Sequence, residues 1–242
     1  MAFSVAESST APMPPSLIRE ALIGLAPERR FLGRNLSKAD VSLYCVGGRR
    51  IAVKDYGARP FFARHTIGRV LVGRECRAYE RAGPAPGLAP FLGRVGPCTL
   101  ATGWIESVPL ADLPVGAASP ELFDRLDAVI ADLHLRGVAI SDLHHRDVLV
   151  TAAGAVFVVD LAAAYVLGPR PSAFRRRVFE RFRAQDRLAA TRMRARFTGA
   201  SEHEALATMD PAAVRLWGAG RRIKAFWDRL RGRRIGRRRA PE

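Results

Sequence analysis

The chain has 242 residues, 48% hydrophobic and 26% charged, and 39 basic against 23 acidic side chains give it a net charge of +16. This is a globular composition with enough apolar residues for an ordinary core, which excludes a disordered chain and a membrane-spanning one. Three cysteines, Cys45, Cys76 and Cys98, odd in number and without C-x-x-C spacing, exclude a disulfide framework and a cysteine zinc site and fit a reducing cytosol.

The charge is uneven. Residues 1–162 carry 18 basic and 16 acidic side chains, whereas residues 163–242 carry 21 and 7, so nearly all the excess lies in the last third. Only Lys38, Lys54 and Lys224 are lysines, and the other 36 basic residues are arginines.

The first residues, rich in Ala, Ser and Pro and without an apolar signal core, read as a mobile arm over 1–24. Two β-like runs, Val41–Val46 and Arg50–Lys54, flank Gly47-Gly48, which signals a hairpin and not a nucleotide loop. Phe61–Ala82 has helical spacing, with Cys76 as a packed position, and Gly83-Pro-Ala-Pro-Gly87 ends it. Phe91–Val95 and Cys98–Ile105 read as strands, and the Pro, Gly and Ala of 109–120 as a connection, placing a lobe boundary near Glu106. Glu121–Leu135 is an amphipathic helix stopped by Gly137. After Val138–Val150 and a turn at Ala153-Gly154 comes the apolar strand Ala155–Val159, ending in Asp160. Helices are expected from about Ala173 to Ala195, Pro211 to Trp217 and Arg221 to Arg231. The longest apolar stretch, Ala152–Gly168, is interrupted by Asp160 and too short to span a bilayer.

Four separated features then fall in order: Lys54 closing Ile51-Ala-Val-Lys54, Glu75 on a helix, Asp142-x4-Asp147, and Asp160 in Val158-Val-Asp-Leu-Ala162. Taken singly, Lys54 reads as a solvated strand end and the two later aspartates as turn or cap residues. Taken together they resemble the protein-kinase-like fold. The segment Asp142-Leu-His144 followed by Val148-Leu-Val150 is most similar to the bacterial lipopolysaccharide kinase (Kdo/WaaP) and RIO-like group.

The resemblance implies a two-lobed α+β fold, with a small antiparallel-sheet N-lobe at 25–106, a reduced helical C-lobe at 107–220 and a basic tail at 221–242. It implies that Lys54, set by Glu75 with Glu80 as the competitor, holds the phosphates of ATP, that Asp142 takes or orients the acceptor proton, and that Asp147 and Asp160 hold Mg2+. Asp147 stands where the family pattern has Asn, and its oxygens suit a hard cation equally. Thr102, Gly103, Trp104 and Ile105 occupy the linker position that lines an adenine. Arg34–Val41 lies at the phosphate loop without a G-x-G-x-x-G, so Ser37 and backbone amides are expected to form the cradle. Ile140, Ser141, Leu161 and Ala162 depart from the family pattern. His134, His144 and His145 lack the spacing of a zinc site.

The activity so implied is transfer of the ATP γ-phosphoryl group to a hydroxyl, with a lipid-linked sugar of the lipopolysaccharide-core type as acceptor. A RIO-like Ser/Thr protein kinase is the alternative, and a nucleotide-binding pseudokinase scaffold is a second. Arg221–Arg239 has ten basic residues and one acid, with Ile223, Phe226, Trp227 and Leu230 on one face, so the tail fits an anionic membrane surface. Packing of that stripe on the C-lobe and RNA contact are the competing readings. The expected location is cytoplasmic, peripheral on the inner face of the cell membrane.

Overall fold

Gly47 and Gly48 both take positive φ, 57° and 74°, the backbone twist that a two-residue hairpin requires. They join β2 (Asp40–Val46) to β3 (Arg49–Asp55) in register Val46 to Arg49. In the computed structural model, which describes residues 13–33 and 38–201, this hairpin is the middle of an antiparallel sheet. With β1 (Arg29–Phe31), β4 (Phe91–Gly96) and β5 (Thr99–Gly103), the strand order is β1-β2-β3-β5-β4. Ser37, residues 1–12, the basic tail 221–242 and the two helices expected after residue 210 lie outside the described residues.

Alternation along β3 decides which helix covers which face. Ile51 and Val53 point to one side, where with Val46, Val95 and Ala101 they bury Ile18 of α1 (Pro15–Ala21). The expectation of a mobile arm over 1–24 is thereby corrected for its second half. Pro15 starts the helix where a missing N–H costs nothing, and Ile18 is 0% exposed. Gly93, at φ 117°, leaves room for the Pro15 ring on β4, so the helix docks where the strand has no side chain.

Lys54 points to the opposite face, covered by α3 (Arg69–Ala82), whose Val72 and Cys76 pack with Ala39, Tyr56 and Leu100. Burial pushes the Cys76 thiol up to about 11, as suits a packing residue. The helix expected over 61–82 is present but broken into α2 (Phe61–Ala63), a π turn (Arg64–Gly68) and α3. At the wide turn a Cβ on Gly68 would lie 2.8 Å from the Tyr56 Cβ, so only glycine allows this approach. Gly83, at φ 63°, ends α3.

No regular structure occupies 104–107, near the expected boundary. Beyond it come β6 (Val108–Pro109), α4 (Pro120–Leu135), β7 (Val138–Ala139), β8 (Val148–Val150), β9 (Val156–Val158), β10 (Tyr165–Val166) and α5 (Ala173–Thr198). Two small sheets, β6-β8-β9 and β10-β7, lie among the helices. Leu122, Leu126, Val129, Ile130 and Leu133 of α4 build the main core with Ala190, Met193 and Phe197 of α5, and Ala78, Tyr79 and Ala82 of α3 join it. Each large side chain buried there contributes about 1.5–3 kcal/mol. Helix α3 thus touches both lobes and carries Glu75 between them. Among the described residues no helix is long and apolar enough to cross a membrane.

Candidate active site

Lys54 lies opposite Val41 and Leu100 in the ladder, so both neighbouring strands fix its backbone and the pleat aims its amine at α3. Its Nζ donates to Glu75 Oε2 at 2.7 Å and to Asp160 Oδ1 at 2.7 Å. Of the two candidate partners, Glu75 is therefore the one that faces inward. It is buried, and it also receives the Leu161 backbone N–H. Burial disfavours the Lys54 charge, but the two carboxylates overcome it and hold the amine protonated well above its usual range.

Asp160 follows β9 in the left-handed conformation, φ 67° and ψ 67°, uncommon for a residue with a side chain. That conformation turns its carboxylate back between two cations, Lys54 on Oδ1 and Lys38 on Oδ2 at 2.9 Å. Burial would raise its pKa, yet the two ammonium groups hold the carboxyl well below the usual carboxylate range.

Asp147 is tied to the same place through the backbone, because Val159 N–H donates to its carbonyl at 2.9 Å. Its own carboxyl is pushed up to about 6, by burial first and by the neighbouring Asp160 charge second. Two carboxylates so close, one of them hard to ionise, suit a divalent cation that completes its shell with substrate phosphates. Among the described residues no group of three or more His, Cys, Asp or Glu comes together as a metal cage.

Asp142 stands at the mouth, its side chain 62% exposed and 3.1 Å from His144 Nε2. The contact with Asp142 raises the His144 pKa. The loop before it rests on Asp186 of α5, which is 0% exposed. Asp186 Oδ2 accepts the Ile140 N–H and His134 Nε2–H, and its Oδ1 accepts the Ser141 N–H, all at 2.8 Å. Gln185 Nε2 donates to the Ser141 carbonyl at 2.8 Å. Ser141 holds φ 70°, so the residue before Asp142 is fixed in a strained conformation from both sides. Ile140 and Ser141 therefore carry the loop through their backbones, whatever their side chains.

In the linker, Thr102 and Gly103 end β5 and Trp104 and Ile105 follow it. The Gly103 amide is engaged by the Pro90 carbonyl at 2.8 Å and the Trp104 amide by the Arg50 carbonyl at 3.1 Å. Both amides are thus already engaged within the chain. Trp104 stacks on Phe31, with ring centroids 6.1 Å apart.

Lys54, Glu75, Asp147 and Asp160 converge, with Asp142 at the rim. Three residues of the site went unread in the sequence: Lys38, Asp186 and Gln185. Asp186 left a signal, because it falls on the stripe Phe179, Asp186, Ala190, Met193 and Phe197 that α5 buries, where an acid needs donors.

No protein-family model and no curated protein matches the chain. Solved structures do match. The Rio2 kinase from Chaetomium thermophilum in its ADP/Mg2+-phosphoaspartate complex is 15% identical, with a TM-score of 0.55 over 83% of this chain and 69% of that one. A second Rio2 kinase structure from the same organism is 14% identical, with a TM-score of 0.56 over 80% and 66%. At this identity the likeness speaks for the fold alone. The chain has an atypical protein-kinase-like α+β fold in two lobes.

Proposed function

We propose that the chain is a phosphotransferase that uses ATP and Mg2+ to phosphorylate a hydroxyl acceptor, of the lipid-linked sugar type, at the inner surface of the cell membrane. The observation that carries the reading is the three-residue junction Glu75, Lys54, Asp160, closed by two 2.7 Å ion pairs between β3, α3 and the end of β9. A strand-end lysine needs no buried glutamate, whereas a phosphate-holding lysine needs its amine charged and fixed.

Asp147 and Asp160 are the residues that would hold the cation, which when bound offsets the negative charge spreading over the transferring phosphoryl oxygens. Lys54 and Lys38 supply fixed positive charge beside them. Asp142 orients the acceptor hydroxyl and takes its proton, and its exposure leaves room for the acceptor to approach. A RIO-like protein Ser or Thr acceptor is the second reading, favoured by the likeness to Rio2. A nucleotide-binding scaffold without turnover is the third, and the missing glycine-rich loop points that way.

The test is transfer of labelled phosphate from ATP to lipid, sugar and protein fractions by Asp142→Ala beside the native chain. Turnover should fall by about 10²–10⁴-fold, with Mg2+–ADP affinity and thermal stability unchanged. Undiminished transfer by the variant overturns the mechanism. Native chain that binds the nucleotide without any turnover is a scaffold.

A further inference from the structure

The +14 excess of the last third is not confined to the tail. Helix α5 alone carries nine arginines and two acids, Glu180 and Asp186. Asp186 is buried under the catalytic loop, and Glu180 is held by Arg183 through both oxygens, at 2.8 and 3.0 Å. Of the two acids only Glu180 reaches the surface, and it is paired with Arg183 and not with Arg177 or Arg181.

On that face Phe174, Arg177, Arg181 and Gln185 follow one another at spacings of three, four and four, a single row along the helix. All four are exposed, Phe174 to 75%. The row ends at the chemistry, since Gln185 Nε2 donates to the carbonyl of Ser141, the residue before Asp142. At 1.5 Å of rise per residue, Arg181 lies about 6 Å and Arg177 about 12 Å along the axis from that anchor.

Two features make the arrangement costly for the helix by itself. Like charges at i, i+4 repel. Cations in the first turns also meet the positive end of the helix dipole, and here the first turn holds Arg175 and Arg176 and no acid. Arg175 and Arg176 spend hydrogen bonds on the carbonyls of Val166 and Pro171, whereas Arg177 and Arg181 have no ion-pair partner among the described residues. An anion lying along the row relieves both costs.

We infer that Arg177 and Arg181 form an acceptor subsite that holds a phosphate group of the acceptor, so that the substrate of the phosphotransfer is already phosphorylated. The inference rests on the assignment of Asp142 as the residue that receives the acceptor hydroxyl. Guanidinium groups suit it because each can present two parallel N–H donors to one phosphate. The spacing allows a phosphate to be held one or two turns from the reacting hydroxyl. Phe174 adds an apolar ring at the outer end, suited to a sugar face or an acyl chain.

The experiment measures equilibrium binding of the full-length chain to a fluorescent lipopolysaccharide core oligosaccharide and to the same oligosaccharide stripped of its phosphates. Each is measured with and without Mg2+–ADP, for the native protein and for Arg177→Gln/Arg181→Gln. A third arm presents the phosphorylated core in phosphatidylcholine vesicles and separates a membrane-borne source from a soluble one. The native chain should prefer the phosphorylated probe by about tenfold or more, the share of one charge-assisted hydrogen bond, and the double variant should lose that preference.

Equal binding of the two probes, no binding of either, or a preference that survives the double substitution overturns the subsite. Single-stranded RNA bound as tightly as the phosphorylated probe also overturns it, because the row is then a general polyanion surface. If Mg2+–ADP does not bind while the arginine-dependent preference persists, the phosphotransferase reading falls and the anion site stands.

Discussion

Asp147 decides how the site responds to pH. Its carboxyl is pushed up to about 6, and burial and Asp160 both act in that direction by disfavouring the ionised form. In the proposed role of Asp147 as a cation ligand only the ionised form binds well, so a proton and Mg2+ would compete for it. Mg2+–nucleotide affinity should therefore be flat above about pH 6 and fall by up to about tenfold per pH unit below it, over the range in which Asp160 stays ionised. Calorimetric titration of Mg2+–ADP between pH 5 and 8 reads this directly. Asp147→Asn keeps an oxygen ligand but has no proton to lose, so its affinity should be lower at neutral pH and lack the step near 6. A step that remains in the variant places the titration on another group, of which His144, its pKa raised by the contact with Asp142, is the neighbour to check.

Helix α5 joins the scaffold to the candidate site through Asp186, which takes two backbone amides of the loop before Asp142 and the His134 imidazole. Asp186→Ala strands three buried donors, each at about 1–3 kcal/mol. Urea unfolding should show a loss of several kcal/mol, and Asp186→Asn, which keeps one acceptor oxygen, a smaller loss. Equal stability of the alanine variant and the native chain removes the anchoring role. Most long elements are legible in the sequence: the Gly47-Gly48 hairpin from its turn residues, α3 and α4 from apolar positions repeating over several turns, and α5 as an expected helix over about 173–195. Helix α1 was not, because seven residues bury one side chain, Ile18, and too few positions repeat for a period to show. The π turn was hidden for a related reason, since it rests on the fit of Gly68 to Tyr56 and not on any repeat. Within the site, Lys54, Glu75, Asp142, Asp147 and Asp160 could be picked out because their order along the chain carries the pattern. Lys38 reaches Asp160 across 122 residues, and nothing local marks such a contact.

At the scale of the whole molecule, the site exists only where the two lobes meet, so whatever sets the lobes together also sets the distance from Lys54 to Asp160. Besides the ion pairs, the contacts that do this include the α3 residues in the main core, Arg74 donating to the Ala163 carbonyl at 3.0 Å, and the Val158 amide donating to the Gly87 carbonyl at 2.8 Å. The last lies two residues from Asp160. Gly87 sits at φ 78°, and a Cβ there would overlap the Val129 side chain of α4. Gly87→Ala therefore meets two separate penalties, the left-handed backbone and the clash, together roughly 2–4 kcal/mol. The two can be told apart. Adding Val129→Ala removes the clash and leaves the backbone strain, although it also opens a small cavity. Mg2+–ADP affinity is the more telling readout, because a chain that moves away from Val129 carries the Gly87 carbonyl with it and releases β9. Affinity should fall in Gly87→Ala and recover in part in the double variant, in step with stability. If stability falls while Mg2+–ADP affinity holds, the 2.7 Å contacts of Lys54 are enough to set the site without the Gly87–Val158 hydrogen bond, and the junction of Glu75, Lys54 and Asp160 is the true hinge between the lobes.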